Sequence, residues 1–238
     1  MLPIAYSEFA QISRNRAVLI STLMPLAVSA FFIYRRDQFT AIGSTGYVAA
    51  ALVFTIGAFS LYTTAVTTLA ARRQDLFLKR LRSTTAGDAT ILAGLTLPVS
   101  AVALFQVLVV LGVFAAVVGG PADAALLVAG ILSAFLMMLA LAMATAGLTG
   151  SPEQAQVTTL PVSLGTIGIA TWVGITGTED LTLLKRLLPG GSAAELIVTS
   201  WNGGVPLAES LPLLLPALGW VVVAIVLALR LFRWEPRR

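Results

Sequence analysis

Six long apolar runs, separated by short polar stretches, dominate the chain; they lie near residues 17–34, 46–71, 89–118, 122–148, 155–176 and 209–231. A helix needs about 20 mostly apolar residues to cross a bilayer, because a backbone in hydrocarbon must satisfy its own hydrogen bonds. Each run therefore predicts a spanning helix. The first five contain no Lys, Arg, Asp or Glu except Asp123, at the start of the fourth, while Arg230 lies at the end of the sixth, where it can snorkel to an interface. The pattern predicts an all-α membrane protein of six transmembrane helices forming one domain, residues 1–238. Arg14, Arg16 and Ala27-Val-Ser-Ala30 give the first run some likeness to a signal peptide, but it continues through Phe31, Phe32 and Tyr34. It is expected to remain as a span.

Three polar stretches carry helical patterning of their own. In residues 4–16, Ile4, Phe9 and Ile12 alternate with Ser7, Glu8, Arg14 and Arg16, which predicts an amphipathic helix in the membrane interface. Between the second and third runs, Phe77, Leu78 and Leu81 fall on one helical face, and Arg72, Asp75, Lys79 and Arg82 on the other. Asp75 and Lys79 form an i,i+4 pair in the favourable order, and Gly87 is available to end this helix. Between the fifth and sixth runs, Thr178-Glu179-Asp180 reads as a helix start and Ser192-Ala-Ala-Glu195 as a capping box. Two short helices are expected there, split at Pro189-Gly190-Gly191 and folded against or dipping into the outer leaflet, since Leu187, Leu188, Leu196, Ile197, Val198 and Trp201 need apolar cover.

Composition agrees with the pattern: 58% of residues are hydrophobic, 11% are charged, and the mean hydropathy is +0.93. Six spans place Arg14, Arg16, Arg72, Arg73, Lys79, Arg80, Arg82, Arg230, Arg233, Arg237 and Arg238 on one side, and Arg35, Arg36, Lys185 and Arg186 on the other. That asymmetry predicts both termini in the cytoplasm. The same charge, +4 in total, reads as topology rather than nucleic-acid binding.

Absences narrow the chemistry. The chain has no Cys and no His, so disulfides, thiolate chemistry and imidazole-based nucleophile pairs are excluded. The spans offer no proton-relay carboxylates and no metal-ligand set. Both lysines, Lys79 and Lys185, follow leucine, whereas a P-loop lysine follows glycine, so uphill transport would draw its energy from another polypeptide. The chain is not expected to be an enzyme.

Hydroxyls gather on two runs. Ser60, Thr64 and Thr67 share a face of the second, and Thr159, Ser163 and Thr166 a face of the fifth. They are candidates to line a passage; equally, Ser and Thr pack between membrane helices and bond back to their own backbone. Ala140, Ala144 and Gly147 permit close packing of the fourth run, and Pro25, Pro98 and Pro161 are expected to kink the first, third and fifth.

The stretch Arg72-Arg73-Gln-Asp-Leu-Phe-Leu-Lys-Arg-Leu-Arg-Ser-Thr-Thr-Ala resembles the Arg-Arg-Glu-Asp-Gly-x-Leu-Lys-Arg-Leu-Arg-x-Thr-Pro-Leu signature of ABC-2 type permeases, the membrane subunits of ABC exporters, and in particular the daunorubicin-resistance drug exporters. Gln74, Leu76 and Thr85 depart from the signature's Glu, Gly and Pro. Glu8, Arg14 or Arg16, Pro25, Leu188-Pro189 and Glu195 are similar to further landmarks of that family, in the same order.

The resemblance implies a type V exporter fold in the cell membrane, with an N-terminal interface helix, a coupling helix at about residues 72–85 and re-entrant extracellular helices before the last span. It also implies two separately encoded ATPase subunits binding ATP and Mg, and a second permease chain, the same or related. The expected coupling residues are Arg72, Arg73, Asp75, Phe77, Leu78, Lys79, Arg80, Leu81 and Arg82, and the interface residues Glu8, Phe9, Ile12, Arg14 and Arg16. The cargo would be an amphipathic or hydrophobic drug, antibiotic or lipid. A secondary multidrug transporter and a non-transporting scaffold remain the alternatives.

Overall fold

The computed structural model describes residues 16–82 and 87–232. Helix α1 (Arg16–Tyr34) is followed by the short α2 (Arg36–Ile42). The second apolar run is one column of three pieces: α3 (Thr45–Ile56), a π-helical segment (Gly57–Thr63) and α4 (Thr64–Gln74). After α5 (Phe77–Arg82) come α6 (Asp88–Val118) and α7 (Ala124–Leu148). The fifth run is divided into α8 (Pro152–Thr158) and α9 (Leu160–Thr176). Helices α10 (Thr182–Leu187) and α11 (Gly191–Asn202) precede the last run, which comprises α12 (Leu207–Ser210), a 3-10 turn (Leu211–Leu213) and α13 (Leu214–Leu231).

Five stretches are long and apolar enough to cross a membrane: Thr45–Gln74, Thr90–Val118, Ala124–Leu148, Pro152–Thr176 and Leu207–Leu231. No strand occurs among the described residues. The chain is an all-α, multi-pass membrane protein. In the first run the described apolar part, Leu23–Tyr34, is shorter. Glu8, Phe9, Ile12 and Arg14 of the expected interface helix lie outside the described residues, and the backbone of Arg16 already belongs to α1.

Helix starts are set locally. Ser44 caps α3 by accepting from the Tyr47 N–H at 3.1 Å, and Asp123 caps α7 by accepting from Leu126 at 2.9 Å. Ser151 caps α8, with Pro152 in the first turn where its missing N–H costs no bond. Helices run through Pro25 and Pro98. Pro161 instead sits in the first turn of α9, so the expected kink takes the form of a break at Thr159.

The α3–π–α4 column is the centre of the molecule. In its most apolar stretch 89% of residues are buried inside the protein, against 28% in the last span. Helices α9 and α11 pack along α3, while α1, α6, α7 and α9 surround the π segment. Here Thr63 Oγ1 donates to Ala58 O at 2.9 Å and Thr64 Oγ1 to Phe59 O at 3.1 Å, both five residues back, as a widened turn allows. Tyr62 Oη meets Thr145 Oγ1 at 2.8 Å and joins the column to α7. The amphipathic α11 is enclosed rather than laid on the outside, with Leu196, Ile197 and Trp201 buried.

Helix α7 lies along α13, and its Ala140, Ala144 and Gly147 are all buried. A β-carbon added at Gly147 would collide with the Leu231 carbonyl, so glycine is what allows these backbones to meet. Helices α6 and α13 expose Phe105, Leu108, Leu215 and Leu229, large apolar side chains of the kind hydrocarbon covers.

Gly147→Ala should destabilise the protein by about 1–3 kcal/mol through overpacking. Gly165→Ala, where a β-carbon meets nothing within 4 Å, should be neutral or slightly stabilising. Thermal unfolding of the two variants in detergent compares them directly.

Candidate functional site

Charge and buried polarity concentrate at the two ends of the bundle. At one end, Arg72 and Arg73 occupy the last turn of α4. The Arg72 guanidinium lies 4.9 Å from the Phe77 ring centroid, a cation–π contact across the turn. Arg73 is 2% exposed and donates to the carbonyl of Thr149, the residue that closes α7. Thr149 Oγ1 in turn meets Thr158 Oγ1 at 2.9 Å, and the Gly150 N–H donates to Gln154 Oε1 at 2.7 Å. Arg73 thus ties the end of the second apolar run to the connection between the fourth and fifth runs.

The expected single amphipathic helix over this stretch is broken. Asp75 closes α4, Leu76 turns left-handed with φ 54°, and α5 begins at Phe77. Arg72 and Asp75 consequently do not share a helical face with Lys79 and Arg82. Arg80 guanidinium donates to the Asp75 carbonyl at 3.1 Å, and Leu78 is fully buried. Lys79, Leu81 and Arg82 lie on the α5 backbone, and their side chains are outside the described set. Gly87 stands at the start of α6 rather than at the end of α5.

The opposite end holds a cluster that sequence reasoning read differently. Ser192 is not a helix cap: α11 starts after Gly190, whose φ of 86° suits glycine, and the buried Ser192 Oγ has no partner. Glu195 does not reach back to the helix start. Its carboxylate accepts from Arg186 Nε at 2.8 Å, from Arg186 Nη2 at 2.7 Å and from Thr178 Oγ1 at 2.7 Å. This bidentate fork holds the guanidinium above its ordinary pKa, against the opposing effect of burial. Thr178 likewise does not start a helix, because the chain first turns left-handed at Leu181 and α10 begins at Thr182.

Lys185, beside Arg186, is 2% exposed. Its ammonium donates to Thr176 Oγ1 at 2.8 Å and to Gly177 O at 2.7 Å, and stands 5.2 Å from the Trp172 ring centroid. Trp220 Nε1 closes the group from α13 by donating to Leu187 O at 2.7 Å. Together these contacts pin the end of the fifth span to α10, α11 and the last span. The sequence held one usable signal: three charges in an otherwise apolar stretch, two basic and one acidic.

The hydroxyl faces lie in the middle. Ser60, Thr64, Thr159, Ser163 and Thr166 are each 1–2% exposed, and Thr67 is half-buried. Thr67 donates to Thr63 O, Thr159 to Ala155 O, and Thr166 to Val162 O, at 2.8, 2.7 and 2.8 Å. Thr63 Oγ1 and Ser163 Oγ approach to 3.4 Å across the seam between the second and fifth spans. Thr63 lies outside the predicted face, and Thr64, Thr67, Thr159 and Thr166 each bond back to a carbonyl of their own run. Among the described residues no three metal-ligating side chains come together.

No protein-family model matches this chain, and no curated protein matches it either.

Lys185→Met, which keeps the chain length but strands the Gly177 carbonyl, should cost about 1–3 kcal/mol. Glu195→Gln should cost less than the ~3–5 kcal/mol of breaking a fully buried pair, because the Arg186 side chain is 37% exposed. Thermal midpoints in lipid nanodiscs check both.

Proposed function

We propose that this chain is the membrane subunit of an ABC exporter of the ABC-2 type, with six spans and both termini in the cytoplasm of the cell membrane. The observation that carries the reading is the elbow at Leu76. The position at which the ABC-2 signature has glycine is one of two described non-glycine residues with positive φ, and the chain turns there from the second span into a short basic helix. A signature glycine and a left-handed backbone are the same constraint seen from sequence and from conformation.

One of two ATPase subunits carrying ATP and Mg would bind at this elbow, and a second permease chain would engage the other and complete the passage. Movement at the elbow has a mechanical route into the bundle, since Arg73 links the end of α4 to Thr149 and so to the fourth and fifth spans. Such movement would part the contact between Thr63 and Ser163, and Ser60, Thr64, Thr67, Thr159, Ser163 and Thr166 are the hydroxyls proposed to meet an amphipathic or hydrophobic cargo. Interfaces of this type switch between discrete packings rather than deforming continuously.

Joint reversal of Lys79, Arg80 and Arg82 to glutamate should release or uncouple the ATPase subunit while leaving the chain inserted. Coupled transport at the wild-type rate would sink the docking assignment. Transport that follows a proton gradient and needs no ATPase would favour a secondary transporter, and a bound ATPase never stimulated by substrate would favour a scaffold. Orientation is tested separately: the chain has no cysteine, so single cysteines at positions 74 and 179 are clean reporters. An impermeant maleimide should label position 179, and not 74, from outside intact cells.

A further inference from the structure

Helices α1 and α6 pack side by side and leave a groove of about 350 Å³ between them, within the size range of small-molecule sites, about 300–1,000 Å³. Its walls are almost wholly apolar, with Leu26 and Ala30 from α1 facing Val109 and Val113 from α6. The α6 residues belong to the span Thr90–Val118 and are half exposed, so the groove faces lipid.

Ser29 interrupts this apolar lining. It is 1% exposed, and its Oγ has no hydrogen-bond partner. Buried hydroxyls elsewhere in the bundle bond back along their own helix: Thr96 donates to Leu92 O, Ser133 to Gly130 O and Ser200 to Ile197 O. Ser29 leaves the equivalent acceptor, the Pro25 carbonyl one turn back, unused. A hydroxyl shut away from water without a partner is costly. The missing acceptor must therefore arrive on a molecule that fits an apolar groove.

Depth identifies that molecule. The groove reaches Tyr34, the last residue of α1, which is 78% exposed and is followed by the exposed Arg35. Exposed tyrosine and arginine at the end of an apolar helix mark the headgroup level of the bilayer. From Tyr34 to Ser29 is about 7–8 Å along the helix, and the headgroup layer is itself about 5–8 Å thick on each side. Ser29 thus lies where headgroups give way to hydrocarbon, the level of the ester carbonyls of a glycerophospholipid. Arg35 and Arg36 outnumber Asp37 at this end, which favours an anionic headgroup.

We propose that the groove between α1 and α6 binds one anionic glycerophospholipid. An ester carbonyl of the lipid accepts from Ser29 Oγ, an acyl chain covers Leu26 and Val109, and the phosphate lies near Tyr34 and Arg35. The bound lipid completes the packing of α1, whose described apolar part is shorter than the five long spans, against the rest of the bundle. The site needs no ATPase and stands apart from the exporter reading.

For the test, the full chain is purified in detergent, stripped of lipid and titrated with phosphatidylglycerol while its thermal midpoint is followed. The wild-type midpoint should rise and saturate. Ser29→Ala should start at or above the wild type, because it removes an unmet hydroxyl, and should need about two- to tenfold more lipid for half of the rise, the worth of one hydrogen bond. The diether analogue of phosphatidylglycerol, which has no ester carbonyl, should show the same deficit on the wild type and no further loss on Ser29→Ala. Ala30→Phe, which fills the groove, should abolish the saturable rise. Equal responses to ester and diether lipid, an undiminished response of Ser29→Ala, or a response as strong to phosphatidylcholine overturns the proposal. So does a disulfide between two copies of Ala30→Cys in the membrane, which would place a second copy of this chain over the groove.

Discussion

Both ends of the central column are held by partners from distant parts of the chain. At its start, Asn202 Oδ1 accepts from the Gly46 N–H at 2.8 Å and from Thr45 Oγ1 at 3.1 Å, while Asn202 Nδ2 donates to Ser44 Oγ at 2.9 Å. At its end, Arg73 reaches the Thr149 carbonyl. Helix termini leave backbone groups without intrahelical partners, and in a bundle this apolar each such group must be met by protein or by interfacial water. Asn202 satisfies the first turn of the column and in doing so fixes α11 against α3. A β-carbon at Gly46 would meet Asn202 Oδ1 at 2.9 Å and crowd the Val198 carbonyl, so this docking also requires glycine.

The interior of the column is adapted to the same rule. A π-helical segment shifts backbone bonding by one residue and leaves carbonyls that ordinary α geometry would pair. Thr63 and Thr64 supply hydroxyls to two of them, Ala58 O and Phe59 O. The hydroxyl content of the second span therefore has a structural use independent of any passage.

The two ends of the bundle treat charge in opposite ways around similar Asp-Leu elbows. At Asp180-Leu181 the basic residues that follow turn inward, with Lys185 on Thr176 and Gly177 and Arg186 on Glu195, while the leucines stay outside. At Asp75-Leu76 the apolar Leu78 turns inward, and Arg80 stays at the surface. The first arrangement suits an end facing lipid and closing the bundle. The second leaves charge at the surface and apolar cover inside.

All six apolar runs contain helices whose ends fall within a turn of the boundaries read from the sequence, since an apolar run in hydrocarbon has no backbone partner but itself and its length is a local property. Asp123 and Ser151 cap helices through their own near neighbours. What the sequence left open were pairings between residues far apart in the chain or separated by a turn. Glu195 had the spacing of a capping box and became the partner of Arg186, because a bidentate ion pair outweighs a local cap once α10 folds onto α11. Lys185 and Arg73 looked like topology charges and are buried, because each finds carbonyl or hydroxyl acceptors that exist only in the packed bundle. The sequence alone determined an all-helical membrane chain and the order of its spans. Only the tertiary structure decided which charges are enclosed, since the acceptors of Arg73 and the partners of Asn202 and Glu195 come from other segments, which no local pattern encodes.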